Sequence, residues 1–418
     1  MGKHFTQRGV AMIAVAACIS VVAVLTAEFS TNTTTGWVAA TNNRDNMRAE
    51  FLARSAMEVA EVLVRAQSEL IEPMGGGGMF GMGDLTEMSP IISTAIGGSR
   101  EEAAAFASAV GLPVDPDSLH GIGVENGHFS VSIDSDDGRI NLNCANGSEQ
   151  IRENLYAQLQ ALFYFDAYDP IFQEESADGW RRTRDEQARA IIDYIDQDRT
   201  VFGERGVPEQ YGYENLPDPY EAKNHYIDTL GEVRLVRGVD DRLWTLFGDH
   251  FTIYGDCKVN IAEVDNARLI ASIILLAAED PEHPVLRDQA QLWELARTVV
   301  EAQDLGLAFQ DLDSFAAFVA NPGGGLEGLL AAQFGDELAG AQLEPQQTGP
   351  EVVGVALDAD KLEQIARAGE RRIYRVTATA QLGSVEKRVV GVWDTNTHNQ
   401  NMRDPAYGRG AWVFWREE

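Results

Sequence analysis

The chain opens with a short polar segment that is followed by a long apolar one. From Val10 to Ala27 every residue is apolar or small, and Ser20 is the only strongly polar interruption. A helix of this length lies at the lower limit of what can cross about 30 Å of hydrocarbon. Lys3 and Arg8 precede the run, and a basic flank of this kind stays in the cytoplasm. The pattern therefore predicts one membrane-spanning helix, with the rest of the chain on the far side.

A secretory signal peptide is the alternative interpretation of this segment. Three features count against it. The apolar run is longer than a usual signal-peptide core, it begins directly after Gly9, and Leu25-Thr26-Ala27 makes a poor cleavage site. A helix that remains part of the protein is therefore the favoured interpretation.

Helical periodicity continues beyond the apolar run. Residues 44–67 are rich in Ala, Glu, Arg, Met and Leu, and apolar positions recur on one face at helical spacing. The pattern predicts a single helix over residues 10–70, with residues 10–27 in the membrane and the second half packed on a domain outside it. Residues 33–36 are weak helix formers, so a local kink is expected there.

Alternation of apolar and polar residues predicts strands on both sides of a helical middle. Residues 128–143 resemble a β-hairpin, because Phe129 begins an alternating run, Asp136-Asp137-Gly138 reads as a turn, and alternation resumes at Ile140. Near the C-terminus, alternation over 374–393 around a Gly-Ser turn predicts two further strands, with a last one at 412–415.

The middle of the chain carries helical stripes instead. Ala188, Ile191, Ile192 and Ile195 stand at the spacing of a helix buried on one side. The pattern predicts an α+β fold, in which a long N-terminal helix packs on a small antiparallel sheet. The sheet would come from residues 71–145 and 341–418, with a mainly helical domain, 146–340, inserted between them.

The net charge of the chain narrows the range of possible binding partners. With 33 basic and 65 acidic residues, the formal net charge is −32. Such a surface repels phosphate backbones, so nucleic-acid binding is disfavoured. The acidic character suits either calcium or basic protein partners, and solubility alone is the other explanation.

The acidic residues concentrate after the helix that ends near residue 195. Asp193, Asp196 and Asp198 are followed within twenty residues by further acids, which are Glu204, Glu209, Glu214 and Asp218. Clustered carboxylates favour a hard cation, which outside the cytoplasm means calcium. The best ligand candidates are Asp196, Asp198, Glu214 and Asp218. A solvated loop without any metal is the alternative.

Other chemistry finds little support in the chain. No His-Glu-x-x-His or Gly-x-Ser-x-Gly motif is present and the seven histidines are scattered, so no enzymatic activity is predicted.

Outside the apolar run, Cys144 and Cys257 are the only cysteines. In an oxidising compartment they could form a disulfide, although spacing alone does not establish it. Residues 235–254 have the pattern of a helix-hairpin-helix, for which a packing role is favoured, since Asp240 and Asp241 follow its glycine.

Gly9 followed by an apolar helix resembles the leader of type IV pilins and pseudopilins, which a prepilin peptidase cuts after that glycine. Most such proteins carry a glutamate at the fifth mature position, where this chain has Ala14. Its absence is typical of the minor pseudopilin K of type II secretion systems.

Four internal segments resemble the same family. They are Asp137-Gly-Arg-Ile-Asn-Leu-Asn, Ala190-Ile-Ile-Asp-Tyr-Ile-Asp, Glu232-Val-Arg-Leu-Val-Arg-Gly-Val and Lys258-Val-Asn-Ile. The third departs from the family in having Gly231 where a serine is usual. The resemblance spans residues 1 to about 280 and is specific only in combination.

The resemblance implies a processing site and a cellular location. Residues 1–9 would be the leader, cleaved between Gly9 and Val10, with Val10 then N-methylated. The protein would sit in the bacterial inner membrane by a single helix, with its C-terminal domain in the periplasm. Family members also bind calcium in the helical domain, which agrees with the acidic loop.

The resemblance also implies a role in assembly. In related filaments the fifth-position carboxylate neutralises the N-terminal amine of a neighbouring subunit within the lipid. A subunit with Ala14 needs no such neighbour above it and fits the tip of a filament. The implied partners are minor pseudopilins of the I and J types, the prepilin peptidase and the inner-membrane secretion platform. A minor pilin of a type IV pilus, or a membrane-tethered periplasmic enzyme, is the alternative.

Overall fold

The computed structural model describes residues 4–71, 84–97, 127–209, 211–304, 309, 311–323, 352–397 and 410–418. These residues fall into two compact units. The helix-and-sheet unit comprises Met1–Ile133, Val376–Val392 and Trp412–Glu418, and the helical unit comprises Asp134–Arg375 and Trp393–Ala411.

The helix-and-sheet unit is built on helix α1, His4–Ala66, which runs for 63 residues and ends in a π-helical turn, Gln67–Ile71. The predicted long helix is therefore present, and it begins before residue 10. The residues expected to kink it remain helical, since the hydroxyls of Thr33, Thr34 and Thr35 each donate to the carbonyl four residues earlier. Helix α2 spans Ser89–Gly97.

A four-stranded sheet completes this unit, and a few residues at the ends of its strands belong to the helical unit. Its strands are β1 (Gly127–Ser135), β6 (Ile373–Leu382), β7 (Val385–Asp394) and β8 (Ala411–Glu417), hydrogen-bonded in that order. A two-residue turn joins β6 to β7, so they run antiparallel. Arg388 and Glu418 exchange backbone hydrogen bonds of 3.2 and 2.8 Å, as antiparallel neighbours do. The predicted α+β class is confirmed.

One face of α1 packs on this sheet. Its buried residues are mostly alanines, which allow backbones to approach closely: Ala49, Leu52, Ala53, Ala56, Met57, Ala60 and Val64. Polar contacts fix the register, because Arg54 pairs with Glu417 at 3.0 Å and the indole of Trp412 donates to Glu61 at 3.1 Å.

The helical unit contains nine α-helices within the described residues. In chain order they are α3 Glu149–Leu162, α4 Asp169–Gln173, α5 Arg184–Ile195, α6 Asp241–Phe247, α7 Ala267–Ala277, α8 Pro284–Arg287, α9 Gln289–Asp304, α10 Leu312–Ala320 and α11 Ala359–Ile365, with the 3₁₀ segment Leu230–Leu235 before α6. Helix α7 packs against α3 and α9, and most of its side chains are buried. The stripe predicted from Ala188 to Ile195 lies in α5, and all four of its residues are fully buried.

The helical unit is larger than predicted. It begins at Asp134 and continues to Arg375, rather than covering 146–340. Four short strands join the added segments at either end to the middle of the unit. They are β2 (Ile140–Asn141), β3 (Phe251–Thr252), β4 (Val259–Asn260) and β5 (Ala366–Arg367), which form two parallel pairs, β2 with β3 and β4 with β5.

The predicted hairpin over 128–143 is wrong. Strand β1 pairs with β6, and Ile140 pairs with Phe251. The Asp-Asp-Gly segment does not form an exposed turn, because Asp136 is fully buried and accepts hydrogen bonds from Arg139 at 2.7 Å and Arg375 at 2.5 Å. Gly138 serves close packing, since an added Cβ would lie 2.1 Å from a backbone oxygen of Glu263.

Two segments of the helical unit repeat one local structure. Asn141 and Asn260 each end a two-residue strand with φ/ψ of −83/107° and −80/106° and cap a 3₁₀ turn. Each side-chain amide donates to the carbonyl of a glycine, Asn141 to Gly255 at 2.8 Å and Asn260 to Gly369 at 3.0 Å. A disulfide between Cys144 and Cys257 joins the two segments.

Candidate functional site

Three carboxylates converge where helix α5 ends. Asp196 caps that helix, its N–H donating to the carbonyl of Ile192 at 2.8 Å. The following loop folds back on itself through an antiparallel bridge between Thr200 and Pro208. This fold brings Glu209 beside the helix end, so that one oxygen each of Asp196, Asp198 and Glu209 lies within 4.8 Å of the others.

Two of the four predicted ligand residues lie in this cluster. Asp196 and Asp198 lie in the cluster, whereas Glu214 and Asp218 do not belong to it and are exposed. Glu209 belongs to the cluster instead, because the loop folds back on itself within about ten residues. The N–H of Glu209 donates to the carbonyl of Arg199 at 3.2 Å. Spacing along the chain could not distinguish Glu209 from the acids that follow it.

Burial makes this cluster unusual for carboxylates. Asp196 is 1% exposed, and its Oδ1 has no hydrogen-bond partner among the described residues. The same holds for Oε1 of Glu209 within the described part of the chain. A buried acceptor left unpaired costs about 1–3 kcal/mol, so both oxygens call for a cation or a donor.

The same environment shifts the protonation of these groups. Burial, and then the neighbouring carboxylates of Asp193, Asp196 and Asp198, raise the pKa of Glu209 to about 8. Burial and the charge of Asp198 raise the pKa of Asp196 to about 6. Without a metal, the site therefore holds protons near neutral pH that a bound cation would displace.

Asp193 forms the inner wall of the site. It is fully buried, and it accepts hydrogen bonds from the N–H of Phe202 at 2.9 Å and the hydroxyl of Tyr211 at 2.5 Å. Burial raises the pKa of Asp193 to about 7. Since both of its oxygens have protein donors, Asp193 positions the loop, and the other three carboxylates are left to bind a cation.

The donor set fits calcium. Calcium takes six to eight oxygen ligands in a flexible geometry, and carboxylates are its usual protein ligands. Asp196, Asp198 and Glu209 would supply part of that shell. Two of their oxygens are already buried without partners, as expected for a site shaped for an ion.

The helix-hairpin-helix segment adopts a packed arrangement. Gly238 has a φ of +81°, its N–H donates to Asp178 at 3.2 Å, and its carbonyl accepts from the buried Arg182 at 2.7 Å. The amide that such hairpins present to phosphate is therefore bonded within this chain.

The N-terminal segment is the second candidate site. Every side chain from Ala11 to Ala40 is exposed, and α1 is the one helix among the described residues that is long and apolar enough to cross a membrane. Ala14 lies on this exposed stretch, as does the free Cys18. Gly9 and Val10 lie within the helical backbone, and residues 1–3 lie outside the described residues.

Part of this chain matches a known protein family. Residues 138–255, which include strand β2, helix α5 and the acidic cluster, match the family model of protein K of the type II secretion system. No curated protein matches the sequence.

One solved structure is similar over much of the chain. It is a chain of the GspK-GspI-GspJ complex of the type 2 secretion system of enterotoxigenic Escherichia coli. The identity is 13%, the TM-score is 0.41, and the alignment covers 71% of this chain and 81% of that one. The match over residues 138–255 agrees with the family resemblance seen in the sequence.

Proposed function

We propose that this protein is a minor pseudopilin that occupies the tip of the periplasmic pseudopilus, which exports proteins across the outer membrane. The observation that carries the proposal is Ala14, which lies on an exposed apolar helix where related subunits have a glutamate. No charged residue stands between Ala11 and Ala27. This apolar segment therefore has no carboxylate that must pair with the N-terminal amine of another subunit.

An Ala14→Glu variant tests this placement. A carboxylate at that depth costs about 2.5–3.5 kcal/mol unless it is paired, and a tip subunit has no partner above it. We expect secretion of substrate proteins to fall sharply in cells whose only copy carries this change. Ala14→Ser is the matched control and should secrete normally. Normal secretion with Ala14→Glu would overturn the tip assignment.

The leader is proposed to be removed between Gly9 and Val10 by a prepilin peptidase, with Val10 then N-methylated. The support is the basic and polar segment that ends at Gly9 directly before the apolar run. Mass spectrometry of the mature protein should find an N-terminus at Val10 that carries a methyl group. Gly9→Val should leave the leader in place and block secretion, whereas Gly2→Val should be processed. Processing of the Gly9 variant at the same bond would contradict the proposal.

The proposed partners are the I-type and J-type minor pseudopilins, together with the inner-membrane secretion platform. The similar solved structure is a complex of three such proteins, GspK, GspI and GspJ. The bulk of the chain would lie in the periplasm, held to the inner membrane by α1. Co-purification of the I-type and J-type proteins with this chain from membranes is the test. Loss of twitching motility rather than of secretion on deletion would instead favour a type IV pilus.

The acidic cluster is proposed to bind calcium through Asp196, Asp198 and Glu209. Its support is the convergence of three carboxylates and the two buried oxygens without partners. At a calcium concentration one hundred times the Kd, the free energy of unfolding should rise by about 2.7 kcal/mol. Asp196→Asn should remove this gain, and Glu214→Gln, which changes an exposed acid outside the cluster, should keep it. An unchanged unfolding midpoint on adding calcium would rule the site out.

A further inference from the structure

The carboxylates of the proposed metal site already have one cationic partner, which comes from a different helix. Arg152 lies near the start of α3, and its Nη1 is 3.2 Å from Oδ2 of Asp196 and 2.9 Å from Oδ2 of Asp198. One guanidinium nitrogen thus bridges two of the three carboxylates. The arginine side chain is 25% exposed, so it reaches the cluster from the solvent side.

This pairing leaves the cluster only partly neutralised. Arg152 contacts one oxygen of each aspartate, while Oδ1 of Asp196 and Oε1 of Glu209 are buried without partners in the described part of the chain. The Nε of Arg152 is likewise buried without a partner there. The arginine therefore holds the edge of the cluster and leaves its buried side open.

The three carboxylates and Arg152 together carry a net negative charge. Once a bound metal has displaced their protons, the three carboxylates carry −3, and Arg152 brings the total to −2, which one divalent cation would neutralise. Without Arg152 the total would match a trivalent ion instead.

We propose that Arg152 remains in the site when a metal binds and that its charge sets the preference for a divalent over a trivalent ion. This inference rests on the proposed calcium site. In the metal-free protein the same arginine reduces the repulsion between Asp196 and Asp198, which keeps the loop folded until an ion arrives. Arg152 is a selectivity residue in this account, because it is a cation and cannot itself be a ligand.

The test compares calcium with terbium, a trivalent ion of similar size that also prefers oxygen. Both are titrated by calorimetry into the full-length protein in detergent. We expect Arg152→Gln to increase the preference for terbium over calcium by about tenfold, since the missing positive charge repels a trivalent ion more strongly. Arg205→Gln is the matched control, because it removes an equal charge from an exposed position in the same loop, and it should leave the ratio unchanged within about twofold.

The possible results of this experiment distinguish the proposed calcium site from the proposed role of Arg152. If neither ion binds the wild-type protein, the calcium site itself is wrong. If both ions bind and Arg152→Gln has the wild-type ratio of affinities, the calcium site stands and the role of Arg152 is overturned.

A second variant covers the case in which Arg152→Gln does not fold. Asp198 is 47% exposed, so Asp198→Asn should be tolerated. It removes one negative charge, and it should shift the ratio by about tenfold in the opposite direction, toward calcium. An unchanged ratio in this variant also overturns the proposal.

Discussion

Two apolar helices in this chain have opposite surroundings. The first part of α1 is exposed at every side chain from Ala11 to Ala40, whereas α7, Ala267–Ala277, has most of its side chains buried in the helical unit. Both are rich in aliphatic residues, which are mainly Val and Ala in the first and Ile, Leu and Ala in the second. Hydrophobicity alone therefore does not say whether lipid or protein surrounds a helix.

Length separates the two. The 11 residues of α7 span about 16 Å, which is too short for a hydrocarbon layer of about 30 Å. The apolar run of α1 is long enough, and the helix continues well beyond it. An apolar helix too short to cross a membrane must find its partners within the protein.

The largest expected effect comes from placing a charge in each helix. Ile270 is 0% exposed, so Ile270→Asp should unfold the helical unit. The free-energy cost of burying an unpaired carboxylate exceeds the free energy of unfolding of an ordinary domain. Near-UV circular dichroism of the protein in detergent measures the loss. Val22→Asp, at a position 61% exposed, should leave that signal intact and reduce membrane insertion. Equal loss of signal in both variants would contradict the comparison.

A truncation gives the next largest effect. Ile274→Ala should lower the free energy of unfolding by about 2–5 kcal/mol, since it removes a fully buried side chain and leaves a cavity. Val24→Ala, at an exposed position of α1, should change the value by less than about 0.5 kcal/mol. Chemical denaturation in detergent distinguishes them. A small effect of Ile274→Ala would show that α7 is packed less tightly than the structure has it.

The buried His250, which is affected by the charge of Arg268 on α7, makes the free energy of unfolding depend on pH. Burial, and then the charge of Arg268 on that helix, lower the pKa of His250 to about 4. Between pH 4 and 6.5 the unfolded imidazole binds a proton that the folded one does not, so stability is lost as the pH falls through this range. The contribution is up to about 3 kcal/mol. Denaturation of wild-type protein and His250→Gln at a series of pH values should show the extra slope only in the wild type.

The smallest effect is expected in the middle of α1. The hydroxyl of Thr34 donates to the carbonyl of Ser30 at 2.8 Å, so the polar side chain is satisfied within the helix itself. Thr34→Val should change the free energy of unfolding by less than about 0.5 kcal/mol and leave the helix content measured by far-UV circular dichroism unchanged. A marked loss of helix would show that the threonine hydroxyls are needed to keep this segment helical.

Much of the fold could be predicted wherever local periodicity decides it. The stripe from Ala188 to Ile195 and the strands β6 and β7 follow from patterns within about twenty residues. The hairpin over 128–143 could not be predicted correctly. Its alternating residues are real strand signals, but arginines more than two hundred residues away bind its supposed turn.

The candidate metal site shows the same limit. Asp196 and Asp198 stand at the end of a helix that the sequence predicts, so their proximity could be expected. Glu209 required the loop to close through the Thr200–Pro208 bridge. Arg152 comes from another helix altogether, and no spacing rule indicated that it would meet Asp196.

The sequence by itself determined the long apolar N-terminal helix, the absence of a glutamate at position 14 and the resemblance to protein K of the type II secretion system. Each depends on neighbouring residues or on the length of one element. Only the tertiary structure decided which strands pair with β1 and β2, where the helical unit begins, and which acids and which arginine share one site. Those features join segments separated by long stretches of chain, and their pairing depends on how the helices pack and the loops close rather than on any local pattern.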